Sequence, residues 1–253
     1  MSAIRFLDFF RSKKSTLENF AFLHTDMHSH LIPGIDDGAP DLGTSINLIR
    51  DLHELGFKSL ITTPHVMSDL YPNTPDIIRS GLEQVRKALV QEDIDMPIHA
   101  AGEYLLDEGF ATKLMAGDLL TLKGQYVLVE MSFIAATPNL DQLLFDMQTK
   151  GYRPVMAHPE RYPYLQGDLK RYERLKDQGC LLQMNLLSLL GYYGKDVRQI
   201  AVNLMKAGFY DLAGTDLHHE RHRMALQALV ADHKAAKLLE NYKWKNAQFF
   251  SQS

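Results

Sequence analysis

Histidines and acidic residues recur at the ends of short apolar segments along this sequence. Six segments carry them, and each segment has the length and composition of a β-strand. A stable fold has no need of imidazoles and carboxylates at its strand ends, whereas a metal centre has. The recurrence therefore predicts that the strand ends meet around metal ions through His28, His30, His65, Glu103, Glu130, His158, Asp216 and His218.

The first and last of these segments each carry two potential ligands that are two residues apart. On a strand, residues i and i+2 point to the same face, so His28 and His30 could share one ion, with Asp26 below them as a supporting partner. An isolated His-x-His sequence is a weak signal, because chance or core packing explains such a pair as well as metal binding does. The same spacing in Asp216 and His218 makes chance a poorer explanation.

The loop after the first segment supplies a further acid. Residues 33–38 read Pro-Gly-Ile-Asp-Asp-Gly, a composition typical of a tight turn. Asp37 could instead reach over the strand ends as an oxygen ligand. The two interpretations are compatible, because a turn flanked by glycines can hold a carboxylate in a defined place.

The remaining potential ligands occur singly. Taken alone, His65 or His158 could be a hydrogen-bonded core histidine. Glu103 and Glu130 each follow an apolar run, where an unpaired buried carboxylate costs several kcal/mol. A cation is therefore expected beside them, and a metal ion explains both acids more simply than an arginine pair.

The set of potential ligands is too large for one ion. It contains five histidines and four acids, whereas a zinc ion takes about three or four protein ligands. Mixed imidazole and carboxylate ligands fit two or three close ions of manganese, iron or zinc and argue against magnesium alone. Such clusters lower the pKa of bound water to about 7 and hold phosphoryl groups.

Two arginines stand near the potential ligands in the sequence. Arg161 follows His158 by three residues, and Arg223 follows His218 by five. Both could be solvated surface charges, or both could make bidentate contacts to a phosphate. Position alone leaves the two interpretations open.

Other residue types provide no competing chemistry. His219 and His222 lack strand periodicity and are predicted to be loop residues. Cys180 lies in an apolar run and is predicted to be a core residue. A thiol phosphatase would need an arginine six residues after its cysteine, and this chain has Leu186 there. No phosphate-binding P-loop, dinucleotide fingerprint or nucleophile elbow occurs.

The segments that must position these residues alternate in type. Seven apolar runs, at 24–30, 59–65, 98–104, 126–132, 153–160, 180–186 and 210–218, alternate with helical patterns at 45–55, 77–90, 140–147, 196–207 and 224–239. Strands that alternate with helices indicate a parallel sheet. Seven units with ligands at the strand ends favour a distorted (β/α)7 TIM-like barrel over a doubly wound sheet, which gathers ligands only near its switch point.

Composition limits the class of protein. The 253 residues are 45% hydrophobic and carry a formal charge of −4, which argues against broad nucleic-acid binding. Cys180 is the only cysteine, so no intrachain disulfide can form, and a cytoplasmic location is expected. No apolar run is long enough for a transmembrane helix. Residues 4–10 are predicted to form a short amphipathic helix, and the N-terminus lacks the features of a signal peptide.

Taken together, the motifs resemble those of the PHP (polymerase and histidinol phosphatase) superfamily. The sequences that carry the resemblance are DMHSH, PGIDDG, TTPH, GE, EMS, AHPER and GTDLH, between about His24 and Arg223. Within the superfamily, the chain is most similar to the bacterial manganese-dependent tyrosine-protein phosphatases of capsular and extracellular polysaccharide synthesis. The resemblance implies a single domain over 1–253, with a helical N-terminal extension at 1–20 that departs from the compact bacterial form.

The resemblance also implies a site for three divalent ions, with manganese expected and iron, zinc or magnesium as alternatives. Its metal ligands would be His28, His30, Asp37, His65, Glu103, Glu130, His158, Asp216 and His218, and no ligand position is missing. The family's two phosphate-handling arginines would fall on Arg161 and Arg223. Arg161, Arg223, Asp216 and His218 are the expected catalytic residues.

The expected activity is hydrolysis of a phosphomonoester, phosphotyrosine in a protein, by a metal-activated hydroxide. The expected partner is a phosphotyrosine protein such as a bacterial tyrosine kinase of polysaccharide assembly, and neither nucleic acid nor a membrane span is expected. One alternative is a small-molecule phosphatase such as a histidinol-phosphate phosphatase. The other is a non-catalytic metal-binding partner of such a kinase.

Overall fold

The predicted strand segments form short parallel strands in a computed structural model that describes residues 17–250. The predicted helix at 4–10, and most of the predicted extension at 1–20, lie outside the described residues. The strands are β1 (Thr25–Asp26), β2 (Ser59–Thr62), β3 (His65–Val66), β4 (Ile98–Ala100), β5 (Glu103–Leu105), β6 (Tyr126–Glu130), β7 (Arg153–Ala157), β8 (Leu181–Asn185) and β9 (Leu212–Gly214). Every one of the seven predicted runs contains at least one of them.

Two predicted runs are each divided into two short strands. Pro64 lies between β2 and β3 and has no backbone N–H to continue the pairing of β2. Gly102 lies between β4 and β5, where a side chain would approach the Tyr104 ring at 2.8 Å. The second half of each run therefore joins a different sheet from the first half.

The strands form two parallel sheets. The first has the order β1-β2-β4, and the second has the order β3-β5-β6-β7-β8-β9. In the second sheet His65 is in register with Glu103, and Glu130 is in register with Leu105. This α/β architecture with parallel sheets agrees with the sequence prediction.

The segments that follow the first and last strands lie side by side. The Asp216 N–H donates to the carbonyl of His28 at 2.7 Å, and the His30 N–H donates to the carbonyl of Leu217 at 2.9 Å. Ser29 and Leu217 form a parallel bridge. The two predicted ligand pairs are therefore brought together by backbone hydrogen bonds.

The described residues form nine α-helices. They are α1 (Leu42–Glu54), α2 (Pro75–Gln91), α3 (Phe110–Ala116), α4 (Leu140–Thr149), α5 (Leu169–Asp177), α6 (Lys195–Ala207), α7 (Glu220–Ala231), α8 (His233–Asn241) and α9 (Asn246–Phe250). Local signals explain several ends. The Asp41 carboxylate accepts from the Thr44 N–H to cap α1, and Gly208 ends α6 with a φ of +73°.

The prediction of one helix over 224–239 is wrong. The chain leaves the helical conformation at Asp232, whose φ and ψ are −78° and 102°. The Asp232 carboxylate then accepts from the N–H groups of Lys234 and Ala235 and so begins α8. Apolar spacing continues across this break, which is why the pattern alone did not locate it.

An ion-pair cluster around the buried Asp211 links β8 and β9 to α5 and to the residue that precedes α9. Asp211 is 2% exposed and accepts hydrogen bonds from Lys176, from Lys245 at 2.6 Å and from the Leu182 N–H at 3.0 Å. Burial alone would raise the pKa of Asp211, but the two lysines outweigh that effect and lower it. Cys180 is 1% exposed, as predicted for a core residue.

Candidate metal centre

A cavity of about 210 Å³ opens beside the carboxyl ends of the strands. This is the face on which parallel α/β folds place their chemistry. The cavity is lined by Asp37, His65, Glu130, Phe133, His158, Arg161, Tyr193, Asp216, His218, His219 and His222. Most of these side chains carry nitrogen or carboxylate oxygen atoms that can bind a cation.

The structure brings all nine predicted ligands together. They fall into four overlapping groups, and within each group the potential ligand atoms lie within 4.8 Å of one another. The groups are His30, Asp37, His65 and His218; His28, His30 and Glu103; His28, His158 and Asp216; and His65, Glu103 and Glu130. Because the groups share His28, His30, His65 and Glu103, they form one continuous cluster of potential ligand atoms.

Glu103 lies at the centre of the cluster and is fully buried. Its Oε2 atom lies 3.1 Å from His65 Nδ1 and 3.2 Å from His28 Nε2. Its Oε1 atom lies 3.1 Å from His158 Nε2. Burial alone would raise the pKa of Glu103, but His28 and His65 outweigh it and hold that pKa well below its usual range.

Several buried polar atoms of the cluster have no hydrogen-bond partner among residues 17–250. They include Glu103 Oε2, Glu130 Oε1, His65 Nδ1 and His158 Nδ1. Glu130 Oε1 lies 2.9 Å from His65 Nδ1, yet the two atoms do not form a hydrogen bond. Buried polar atoms without partners are costly. Their proximity to one another is the arrangement that a divalent cation requires, so the residues present fit metal ions.

Glu130 would also benefit from a cation. Burial and the neighbouring charge of Glu103 raise its pKa to about 7. Two carboxylates that share one buried site resist simultaneous ionisation unless positive charge lies between them. Arg161 does not meet this need, because its guanidinium pairs with Asp216.

Two histidines are oriented by partners on their far side. His30 Nδ1 lies 2.8 Å from Asp36 Oδ2, and His28 Nδ1 lies 3.0 Å from Gln183 Oε1. Such contacts select the tautomer that leaves Nε2 free to face a metal. Sequence reasoning considered only Asp37 in the turn and missed the role of Asp36, although the two acids are adjacent.

Asp26 has a different role from the one predicted. Its carboxylate accepts from the Thr215 N–H and the Thr215 hydroxyl, each at 2.9 Å, and makes no hydrogen bond to His28. Burial raises the pKa of Asp26 to about 6. The side chain therefore connects β1 to the segment after β9, which carries Asp216.

Two of the predicted ligands have unusual backbone conformations. His158 has a φ of +32° and Asp216 a φ of +52°. Residues other than glycine rarely adopt this left-handed region, and such strain is concentrated at functional sites. Nearby, a side chain at Gly214 would lie 2.6 Å from the Cβ atom of His28, so only glycine fits against that ligand.

The two predicted arginines lie in different surroundings. Arg161 lines the cavity, and its Nη1 atom donates to Asp216 Oδ2 at 2.8 Å. Arg223 is absent from the cavity lining. Its Nε atom donates to Glu220 Oε1 at 2.7 Å and lies 3.5 Å from Asp51 Oδ2. The structure therefore brings Arg161, but not Arg223, to the cluster, because α7 directs the Arg223 side chain towards α1.

The prediction that His222 is a loop residue is wrong, whereas His219 does lie outside the helices, immediately before α7. His219 caps α7, His222 lies in its first turn, and both line the cavity. His222 Nδ1 lies 3.1 Å from the backbone oxygen of Asp216. The overlooked signal was the spacing of three residues between the two histidines, which is the spacing of neighbours on a helix.

A parallel α/β fold that gathers buried histidines and carboxylates at its strand ends defines the class of metal-dependent hydrolases. Within that class, the chain belongs to the CpsB/CapC family of capsular polysaccharide synthesis, whose sequence profile matches residues 24–246. The resemblance stated from the motifs is confirmed at this level.

Individual relatives agree with the family. Tyrosine-protein phosphatase YwqE of Bacillus subtilis (strain 168) is 32% identical over 199 residues, which cover 78% of this chain and 78% of the relative. Tyrosine-protein phosphatase CpsB of Streptococcus pneumoniae is 26% identical over 200 residues, which cover 77% of this chain and 82% of the relative.

A solved structure also matches closely. It comes from work on YwqE of Bacillus subtilis and CpsB of Streptococcus pneumoniae, described as unique metal-dependent tyrosine phosphatases. The TM-score is 0.75 at 30% sequence identity, over 87% of this chain and 96% of the matched chain.

Proposed function

We propose that this protein is a metal-dependent tyrosine-protein phosphatase, a hydrolase of phosphoric monoesters. The observation that carries the proposal is the cluster of buried histidines and carboxylates next to a cavity-lining arginine. The relatives YwqE and CpsB are named for this activity. These names support the phosphotyrosine reading over a small-molecule phosphatase, and the complete ligand set supports an enzyme over a non-catalytic partner.

The proposal assigns three divalent ions to the cluster, with manganese as the expected metal. The proposed ligands are His28, His30, Asp37, His65, Glu103, Glu130, His158, Asp216 and His218. When bound, the ions supply Lewis-acid activation of water and neutralise phosphoryl oxygens. Asp36 and Gln183 orient the His30 and His28 rings for this purpose.

Arg161 is proposed to hold a non-bridging phosphoryl oxygen. Its guanidinium is fixed by Asp216 and lies 4.6 Å from the Phe133 ring centroid and 4.1 Å from that of Tyr193. A donor fixed in this way needs no reorganisation as charge develops on the phosphoryl group. Tyrosinate is an adequate leaving group because the free phenol has a pKa of about 10, so a general acid is useful rather than essential.

Arg223 is assigned to the phosphate only by the family resemblance. Its contacts with Glu220 and Asp51 must break before it can reach the cavity. Asp216 and His218 are proposed as catalytic residues through their place in the ligand set.

We further propose that the two sheets form one distorted seven-unit barrel and that 1–253 is a single domain. The parallel bridge between Ser29 and Leu217 supports this arrangement, because it joins the segments after the first and last strands.

The proposed substrate is a phosphotyrosine protein, such as a tyrosine kinase of polysaccharide assembly, in line with the family's link to capsule synthesis. The described residues contain no helix that is both long and apolar enough to span a membrane. The single cysteine is in keeping with the proposed cytoplasmic location.

The function is tested with metal-loaded protein and three phosphorylated substrates. We expect hydrolysis of a phosphotyrosyl peptide that stops with a chelator and returns when manganese is restored. Histidinol phosphate and a phosphoseryl peptide of the same sequence serve as comparison substrates. Equal rates with and without chelator, or faster turnover of histidinol phosphate, would contradict the proposal.

A further inference from the structure

We propose that Phe133 forms a subsite for the aromatic ring of the substrate and selects aryl phosphates over alkyl phosphates. This inference rests on the proposed phosphatase function and assigns a specificity-determining contact within it. It is carried by the position of one exposed aromatic ring beside the arginine of the cavity.

Phe133 lies in the loop after β6, where its ring packs against two aromatic side chains. It stacks on His158 and Tyr162, with ring centroids 5.6 and 5.5 Å apart and both interplanar angles 29°. Yet 42% of the residue is exposed although it lines the cavity. The ring is therefore held in place by its neighbours while part of this apolar residue remains exposed at a polar cavity.

The ring is also next to the proposed phosphate contact. The Arg161 guanidinium carbon lies 4.6 Å from the Phe133 centroid. In an aryl ester a single oxygen separates phosphorus from the ring. When Arg161 holds the phosphoryl group, the aromatic ring of an aryl ester is therefore within reach of Phe133. An alkyl ester has only a methylene group at the same position.

The size of the cavity limits what can bind inside it. Its volume of about 210 Å³ is below the range of about 300–1,000 Å³ that is usual for pockets enclosing a whole small molecule. The cavity can hold the phosphoryl group and part of one ring, while the rest of a peptide stays outside. Contacts to the ring itself are thus the available means of recognising the phosphorylated residue.

The test compares two phosphonates that cannot be hydrolysed, phenylphosphonate and methylphosphonate. Their Kd values are measured by isothermal titration calorimetry on the manganese-loaded protein. The variants are Phe133→Leu, which removes the ring, and Phe133→Tyr, which keeps it. Phe145→Leu is the matched control, because Phe145 is 58% exposed on α4 and does not line the cavity.

We expect Phe133→Leu to raise the Kd for phenylphosphonate by about 2- to 10-fold, the contribution of one aromatic pair. The Kd for methylphosphonate should stay unchanged, and Phe133→Tyr should behave like the wild type. Equal weakening of both ligands would overturn the inference, since Phe133 would then act only by holding Arg161. No change for either ligand, or no binding of phenylphosphonate to the wild type, would also overturn it.

The proposed function fails separately from this inference. Suppose that the wild type prefers phenylphosphonate to methylphosphonate, that Phe133→Leu loses this preference, and that the wild type hydrolyses no phosphotyrosine. These results would refute the activity but would support the aryl subsite.

Discussion

Replacing Arg161 with glutamine tests how much of the activity depends on this arginine, the one among residues 17–250 that lines the cavity. Its Nη1 atom lies 2.8 Å from Asp216 Oδ2, and the two side chains are only 19% and 4% exposed. A donor preorganised in such a shielded site contributes about 2.7–4 kcal/mol to the transition state, so kcat should fall by about 10²- to 10³-fold. The fold should survive, because Asn185 still donates to Asp216 at 2.8 Å.

The expected loss of stability is much smaller than the loss of activity. One hydrogen bond to a charged group contributes about 1.5–3 kcal/mol, which corresponds to a decrease of about 3–12 °C in Tm for a chain of this size. Steady-state kinetics with a phosphotyrosyl peptide should therefore be measured well below the melting transition, which circular dichroism locates for each variant.

Two further arginine variants complete this experiment. Arg174→Gln is the matched control, since Arg174 also pairs with an aspartate, Asp141, but is 67% exposed and lies outside the cavity lining. Arg223→Gln should lose less activity than Arg161→Gln because Glu220 and Asp51 hold that guanidinium away from the cavity. A kcat/KM for Arg161→Gln within about threefold of the wild type would refute the assignment of Arg161 as a transition-state donor.

Three other outcomes are expected. His28→Ala should abolish turnover and lower the metal content measured by inductively coupled plasma mass spectrometry. The control His99→Ala, at an exposed histidine, should change neither quantity. A fully active His28→Ala variant would contradict the ligand assignment. Burial raises the pKa of Cys180 to about 12, so the thiol should be unreactive at neutral pH. Iodoacetamide should therefore leave the activity intact, and Cys180→Ala should remain active. Inactivation by the reagent would argue for a thiol mechanism. Asp211 has a lowered pKa, so its charged form stabilises the fold above the unfolded value of about 4, and this contribution is lost as the pH falls through and below that value. In urea unfolding of chelated protein, Asp211→Asn should therefore cost about 1–3 kcal/mol at neutral pH and progressively less in acid, and a penalty independent of pH would refute the argument.

Local sequence patterns predicted much of the fold. The period of the apolar residues predicted every strand segment and the helices α1, α2, α4 and α6, because side-chain direction along one element depends only on near neighbours. The short helices α3, α5 and α9 were not predicted, since their apolar faces are too brief to show a period. The gathering of the ligands at one end of the strands followed from one rule, that parallel strands present their carboxyl ends on the same side.

The sequence by itself determined which residues could bind metal, because ligand type and strand spacing are local properties. Tertiary structure decided how those side chains are held and which neighbours complete the site. Gln183 orients the His28 ring from 155 residues away, and Arg161 rather than Arg223 meets Asp216. Such choices depend on the register of separate strands and the direction of helices packed against them, which no local pattern records.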